Sequence, residues 1–127
     1  MYLKEIIKKL RTADGPDRDL DVHIAIEMGY LVREEEIDGA DGARQRRRLW
    51  VVLTGESAAR VPYYTSSLEH AYQLAQLIAP SDAAAVAWVG HRGQAQLDGD
   101  ESYEAANPAI ALCLACLKRR IVTKGRL

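Results

Sequence analysis

Apolar residues recur along this chain at spacings that mark out its elements. Leu3, Ile6, Ile7 and Leu10 fall at i, i+3, i+4 and i+7 with lysines opposite, so Tyr2 to Arg11 predicts an amphipathic helix. Asp14-Gly15-Pro16 breaks it. Pro16 suits the first turn of a second helix that runs to about Met28 with the stripe Leu20, Ile24 and Met28. Gly29 stands where that helix wants a left-handed residue after its end. Tyr30 to Ile37 and Arg46 to Leu53 predict a β-hairpin, with the turn dipeptides Asp38-Gly39 and Asp41-Gly42 between them. Leu49 to Leu53 is apolar at every position, the pattern of a strand covered on both faces.

Gly55 to Thr65 reads as a loop. Ser66 and Glu69 have the spacing of a capping box and open a third helix to about Ala79, stopped by Pro80. Ala84 to Val89 and Gln94 to Leu97 predict a second hairpin turned at Gly90-His91-Arg92-Gly93, and a short extended piece fits Tyr103 to Ala105. Asn107 caps the last helix, Pro108 sits in its first turn, and Lys118, Arg119 and Arg120 are placed in its last turns, where the helix dipole favours cations. The predicted order is α-α-ββ-α-ββ-α. Short connections favour an antiparallel sheet of about four strands, and the apolar second strand calls for helices on both faces. The expected architecture is therefore a three-layer α/β/α sandwich of the α+β type, one domain over residues 1–127.

Three phrases in order carry a family resemblance. Gly15-Pro16-Asp17-Arg18 with Leu20-Asp21, Ile24 and Gly29 is the first. Tyr64-Thr65-Ser66-Ser67-Leu68 with Ala71 is the second, and Pro108-Ala109 with Ala111-Leu112-Cys113 and Leu117 is the third. Together they resemble the phage "ABA sandwich" domain family of small phage and prophage proteins. Ile110, Asn107 and Cys116 depart from the family's usual leucine, threonine cap and single cysteine, and residues 38–48 are this chain's own. The resemblance implies the sandwich fold and a phage or prophage setting in a bacterial host. It implies no catalytic residue.

Composition narrows the function classes. A formal net charge of -1 gives no overall attraction to nucleic acid or acidic membranes. Met1 leads directly into a charged segment, so no signal peptide is expected. The longest apolar run, the nine residues Ala109 to Leu117, falls short of the ~18 that a membrane span needs. A soluble, cytoplasmic protein is expected. Cys113 and Cys116 have the C-x-x-C spacing of redox and zinc motifs. They lie inside an apolar helix without a preceding strand or two further ligands, so they read as buried, reduced and metal-free.

Other candidate motifs dissolve in the same way. Asp17, Asp19 and Asp21 spell D-x-D-x-D, but Val22 and Met28 stand where a calcium loop needs Gly and Glu. Gly55 to Ala59 lacks the second glycine of a nucleophile elbow, and His23, His70 and His91 are scattered. The basic cluster Arg44-Gln45-Arg46-Arg47-Arg48 is mirrored by Glu34-Glu35-Glu36. A turn near Asp41 opposes Glu36 to Arg46, Glu35 to Arg47 and Glu34 to Arg48, and carries Trp50 to Val32 and Val51 to Leu31.

Two surface features remain. The run Ala109 to Leu117 is apolar all round, so either it is wholly enclosed by its own chain or one side packs on the sheet and the other meets another chain. Self-association, most simply as a dimer, is expected through this helix or through an exposed sheet edge. The alternation of connections in an antiparallel sheet also puts Arg60, Tyr63, Tyr64, His91 and Arg92 at one end. Two cations, a histidine and two rings make that end the candidate anion or partner site. The expectation is of a non-enzymatic accessory protein without cofactor or metal that acts by binding a protein partner. Association with nucleic acid, and capture of a small anionic ligand, are the other two readings.

Overall fold

The computed structural model describes residues 2–38, 44–51 and 60–125, with the backbone alone for 32–38 and 44–51. Its elements are α1 (Leu3–Thr12), α2 (Arg18–Glu27), β1 (Leu31–Asp38), β2 (Arg44–Val51), α3 (Leu68–Ile78), β3 (Ala84–Val89), β4 (Arg92–Leu97), β5 (Ser102–Ala105) and α4 (Pro108–Gly125). The fold is mixed α+β.

Local chemistry sets most of the helix ends. Asp17 opens α2 by accepting hydrogen bonds from the backbone N–H groups of Asp19 (2.9 Å) and Leu20 (3.3 Å). The helix closes in a Schellman motif: Tyr30 N–H donates to Ala25 C=O, Gly29 N–H donates to Ile26 C=O, and Gly29 takes φ 100°. Asn107 caps α4, its Oδ1 accepting from Ile110 N–H at 2.8 Å. The start of α3 departs from expectation by one residue. Ser67, not Ser66, is the cap, and it accepts from His70 N–H, so Ser66 and Glu69 form no capping box. The end of α4 departs further. The helix continues to Gly125, which puts Lys118, Arg119 and Arg120 in its middle. The two arginines are held there by partners rather than by a dipole: Arg119 pairs with Asp82 and Asp100, and Arg120, with Lys124, pairs with Glu27.

The β1–β2 hairpin has the predicted register: Glu34 opposes Arg48, Glu35 opposes Arg47, Glu36 opposes Arg46, Val32 opposes Trp50 and Leu31 opposes Val51. The turn at residues 39–43, and the segment 52–59 with the end of the apolar stretch, lie outside the described residues.

Among the described residues these two strands form a sheet of their own, and the other sheet has three strands in the order β3-β4-β5. The single four-stranded sheet is thereby corrected. Tyr103 to Ala105 belongs to β5, a full partner of β4, while β1 and β2 pair only with each other. The layering changes as well. Gly93, Ala95, Leu97 and Ala105 are buried on one face of the three-stranded sheet, where α4 packs across β4 and β5. Residues of the opposite face, among them Ala85, Ala87, Gln94, Gln96, Ser102 and Glu104, are exposed. On its other side α4 meets α1 and α3. The order of layers is sheet, then α4, then α1 and α3. The described helices do not cover both faces of the sheet, as an α/β/α sandwich requires.

This layering makes α4 the centre of the core. Every residue from Ala109 to Leu117 is buried within the one chain. Of the two alternatives for that run, the enclosed one holds, and self-association through this stretch of the last helix loses its basis.

Candidate functional site

The elements expected to share an end do approach each other around the start of α4. Gly93 packs so closely on Asn107 and Pro108 that a Cβ there would overlap their backbone. Asn107 Nδ2 donates to Thr65 C=O at 3.0 Å. The five side chains expected there do not form one cluster. Tyr64 is buried, and burial pushes its phenol well above the ordinary range. Tyr63 is turned toward α2 and α3: its ring lies 3.9 Å beneath the Arg18 guanidinium and stacks with His70, whose Nδ1 accepts from Tyr63 N–H. Arg60, His91 and Arg92 are exposed, and no hydrogen bond or ion pair among the described residues joins them to one another or to the tyrosines.

What assembles at this end is a polar junction built from the three phrases. Asp21 (2% exposed) accepts from both the N–H and the hydroxyl of Thr65 (0% exposed), each at 2.8 Å. The Thr65 hydroxyl in turn accepts from Asp17 N–H at 2.9 Å. Arg18 bonds Asp21 Oδ2 at 2.8 Å and reaches the carbonyls of Val61 (2.7 Å) and Pro62 (3.0 Å). The Cys113 thiol donates to Tyr64 C=O at 3.3 Å. Each of these groups has a partner within the chain, so the junction holds the 61–67 segment to α2 and α4 and leaves no side chain aimed at a ligand. The sequence carried a sign of it: Asp21 lies one turn before Ala25 on the apolar side of α2, where a dipole-complementing acid has no reason to be. The thiols of Cys113 and Cys116 are both buried, and burial raises them, Cys116 to about 12, so neither is a thiolate at neutral pH.

The surface that is not satisfied lies along β3. Its sequence is Ala84-Ala85-Val86-Ala87-Trp88-Val89, with no charge and no proline. Trp88 is 67% exposed and Val89 86% exposed, and of the six residues only Val86 is even partly covered. Register explains how an apolar strand comes to be bare. Ala84, Val86 and Trp88 stand opposite Leu97, Ala95 and Gly93, so they share the face that packs on α4. α4 packs mainly on β4 and β5 and meets β3 least, so most of the inward face of β3 beyond Val86 projects past it.

Among the described residues β3 is also an edge strand. Val89 and Arg92 close the two-residue turn Gly90-His91, in which Gly90 takes φ 61° as the first position of a type II′ turn requires. At the far end Asp98 N–H donates to Ala83 C=O at 2.8 Å. Residues 83, 85, 87 and 89 therefore turn their backbone groups toward β4. Ala84, Val86 and Trp88 turn theirs to the open edge. A depression of about 320 Å³ lies on the outer face near the turn end of the sheet and crosses all three strands, lined by Ala87, Val89, Arg92, Gln94 and Glu104 among others. Of the five expected residues, Arg92 alone takes part in it. The sequence reading paired Ala84 to Val89 with Gln94 to Leu97 in a hairpin, as observed, but assigned nothing to its other side, so it did not identify the edge.

A second surface is cationic. Lys4, Lys8 and Arg11 of α1 and Lys118 of α4 border a groove of about 340 Å³ floored by Ile7 and Ile121. The helical spacing of the three α1 cations was visible in the sequence, but Lys118 joins them only because α1 packs on α4. Among the described residues no cluster of His, Cys, Asp and Glu fits a metal ion, and no helix is long and apolar enough to cross a membrane.

No family model matches this chain, and neither the curated proteins nor the solved structures contain a match. The phage-family resemblance rests on the three phrases alone.

Proposed function

We propose that this protein works by binding another polypeptide, without a reaction of its own, and that the bound chain adds as a strand to the open edge of β3. The observation that carries the reading is the pairing of three outward-facing backbone positions, Ala84, Val86 and Trp88, with an uncharged apolar strand that is exposed on both faces. Natural edge strands are ordinarily short, charged, interrupted by proline or covered. β5, the other edge, is of that ordinary kind, with four residues and Glu104 among them. β3 lacks these protections and carries an exposed tryptophan, the residue type most favoured at interface centres. A phage or prophage setting and a cytoplasmic location belong to the same proposal. The three phrases support the first, and the second follows only from a phage setting inside a bacterial host.

Selection of random decapeptides on the immobilised protein tests the reading. Extended peptides whose amide signals map to β3, and whose binding is lost in Ala87→Lys, are the expected result. Peptides that bind equally well to Ala87→Lys, or none at all, would sink it.

The cationic groove favours a second reading, association with a polyanion. Retention on heparin that falls with modest salt and weakens in Lys8→Ala with Arg11→Ala would support it. Retention unchanged by those substitutions would remove it.

A further inference from the structure

We infer that the chain which adds to β3 is a second copy of β3, related by a two-fold axis perpendicular to the sheet and centred on Val86. The inference rests on the strand-addition reading and specifies its occupant.

A two-fold that sets identical strands side by side makes them antiparallel and keeps their faces on the same side. Only registers in which one residue meets its own counterpart satisfy it. With Val86 on the axis, Val86 opposes the partner's Val86 and Ala84 opposes the partner's Trp88. These are the three residues whose N–H and C=O groups point out of the edge. Each such pair exchanges two bonds, so about six backbone hydrogen bonds form and none of the three positions is left open. Centring on Ala85 or Ala87 carries one of the three past the end of the partner's strand.

Side chains fit the same register. On the α4-facing side the large Trp88 lies beside the small Ala84 of the partner, with the two Val86 side chains between. On the outer side Ala85 meets Ala87. The ends match in charge. Asp82, which also pairs with Arg119 of its own chain, leads into β3, and Arg92 follows its turn. The antiparallel arrangement places Asp82 opposite the partner's Gly90, next to the partner's exposed His91 and Arg92. No charge lies between them on either strand, so nothing opposes the approach. A contact built mainly on one strand edge covers less than the ~800 Å² per partner of a standard interface, so the dimer should be weak, on the order of 10–100 μM.

Sedimentation across that concentration range should show the mass rising from one chain toward two, and Ala87→Lys, on the solvent side of the strand, should stay monomeric with an unchanged circular dichroism spectrum. Register is read by cysteines. Ala85 and Ala87 of opposite copies form a non-hydrogen-bonded pair with Cα atoms ~4.5 Å apart, within disulfide reach. The double variant Ala85→Cys with Ala87→Cys should oxidise to a covalent dimer at high yield, and neither single variant should. A monomer at every concentration overturns the self-pairing. So does a dimer that Ala87→Lys leaves intact, or a disulfide formed by either single variant. If the protein stays monomeric while selected peptides still bind at β3, self-pairing falls and the strand-addition reading stands; if both fail, both fall.

Discussion

Ala109 to Leu117 and Ala84 to Val89 lie in the two longest uncharged apolar runs among the described residues, and they have opposite fates. The first is buried on every side; the second is bare on nearly every side. Side-chain hydrophobicity does not separate them. The helix satisfies its own backbone and needs only side chains around it, which the sheet, α1 and α3 provide. Among the described residues the strand at the sheet margin has a neighbour on one side only, so half of its backbone bonds and most of its apolar surface are left open. Composition marks a run as sticky; position in the layers decides whether the stickiness is spent inside the fold or offered outside it.

The comparison breaks most visibly in α4. Leu114 is 1% exposed among α1, α3 and the sheet. Leu114→Ala should lower stability by about 2–5 kcal/mol through lost burial and the cavity left behind. Chemical denaturation of the two proteins at equal, low concentration checks this. A loss below about 1 kcal/mol would mean that α4 is not the centre of the core. Gly93→Ala should follow, at about 1–3 kcal/mol, because the added methyl must displace the backbone of Asn107 and Pro108. That substitution pries the sheet from the start of α4 without touching either apolar run. A variant as stable as the parent would show that β4 does not pack tightly there.

The sequence disclosed local features better than layers. Gly29, Asn107, the β1–β2 register and the extents of α1, α2 and β3 follow from residues close together in the chain, and each was readable. Membership of a sheet depends on pairing at long range. The apolar pattern of Leu49 to Leu53 implied a covered strand within a larger sheet, yet among the described residues β2 pairs only with β1. The apolar run in α4 fitted two environments equally, since a helix enclosed by its own chain and one shared with a partner have the same sequence. The expected site failed for a related reason. Topology brought the segments of Tyr64 and Gly93 to the same end of α4, but side-chain direction then sent Tyr64 inward and Tyr63 under Arg18. Trp88 was assigned to a strand and never weighed as a site residue, because exposure at an edge is invisible until the edge is known.

A smaller effect tests the charged half of α4. Burial alone would raise the Glu27 carboxyl, but hydrogen bonds and charge from Lys124 and Arg120 outweigh it and hold the group below its ordinary value of 4.5. A carboxylate depressed in the folded state adds stability above its unfolded pKa, and that stability is lost as pH falls through the folded value. Glu27→Gln should therefore cost under about 1 kcal/mol at pH 7. The parent and variant curves should draw together below pH 4. Curves that stay parallel down to pH 3 would show that the pairing contributes nothing through ionisation.

The smallest effect on the monomer is expected at Trp88. Truncating a tryptophan from a core typically costs ~3–5 kcal/mol. Trp88 is two-thirds exposed, at the margin of the face that packs on α4, so its removal opens little cavity. Trp88→Ala should change the stability of the dilute monomer by no more than about 0.5 kcal/mol, the range of surface substitutions. The same change should remove self-association, because the ring is the largest apolar group of the open edge. The two readouts must part company: denaturation at low concentration nearly unchanged, sedimentation at high concentration shifted to a single chain. A variant that loses several kcal/mol when dilute would place the ring inside the fold, and β3 would then be a second buried run rather than the exposed counterpart of α4.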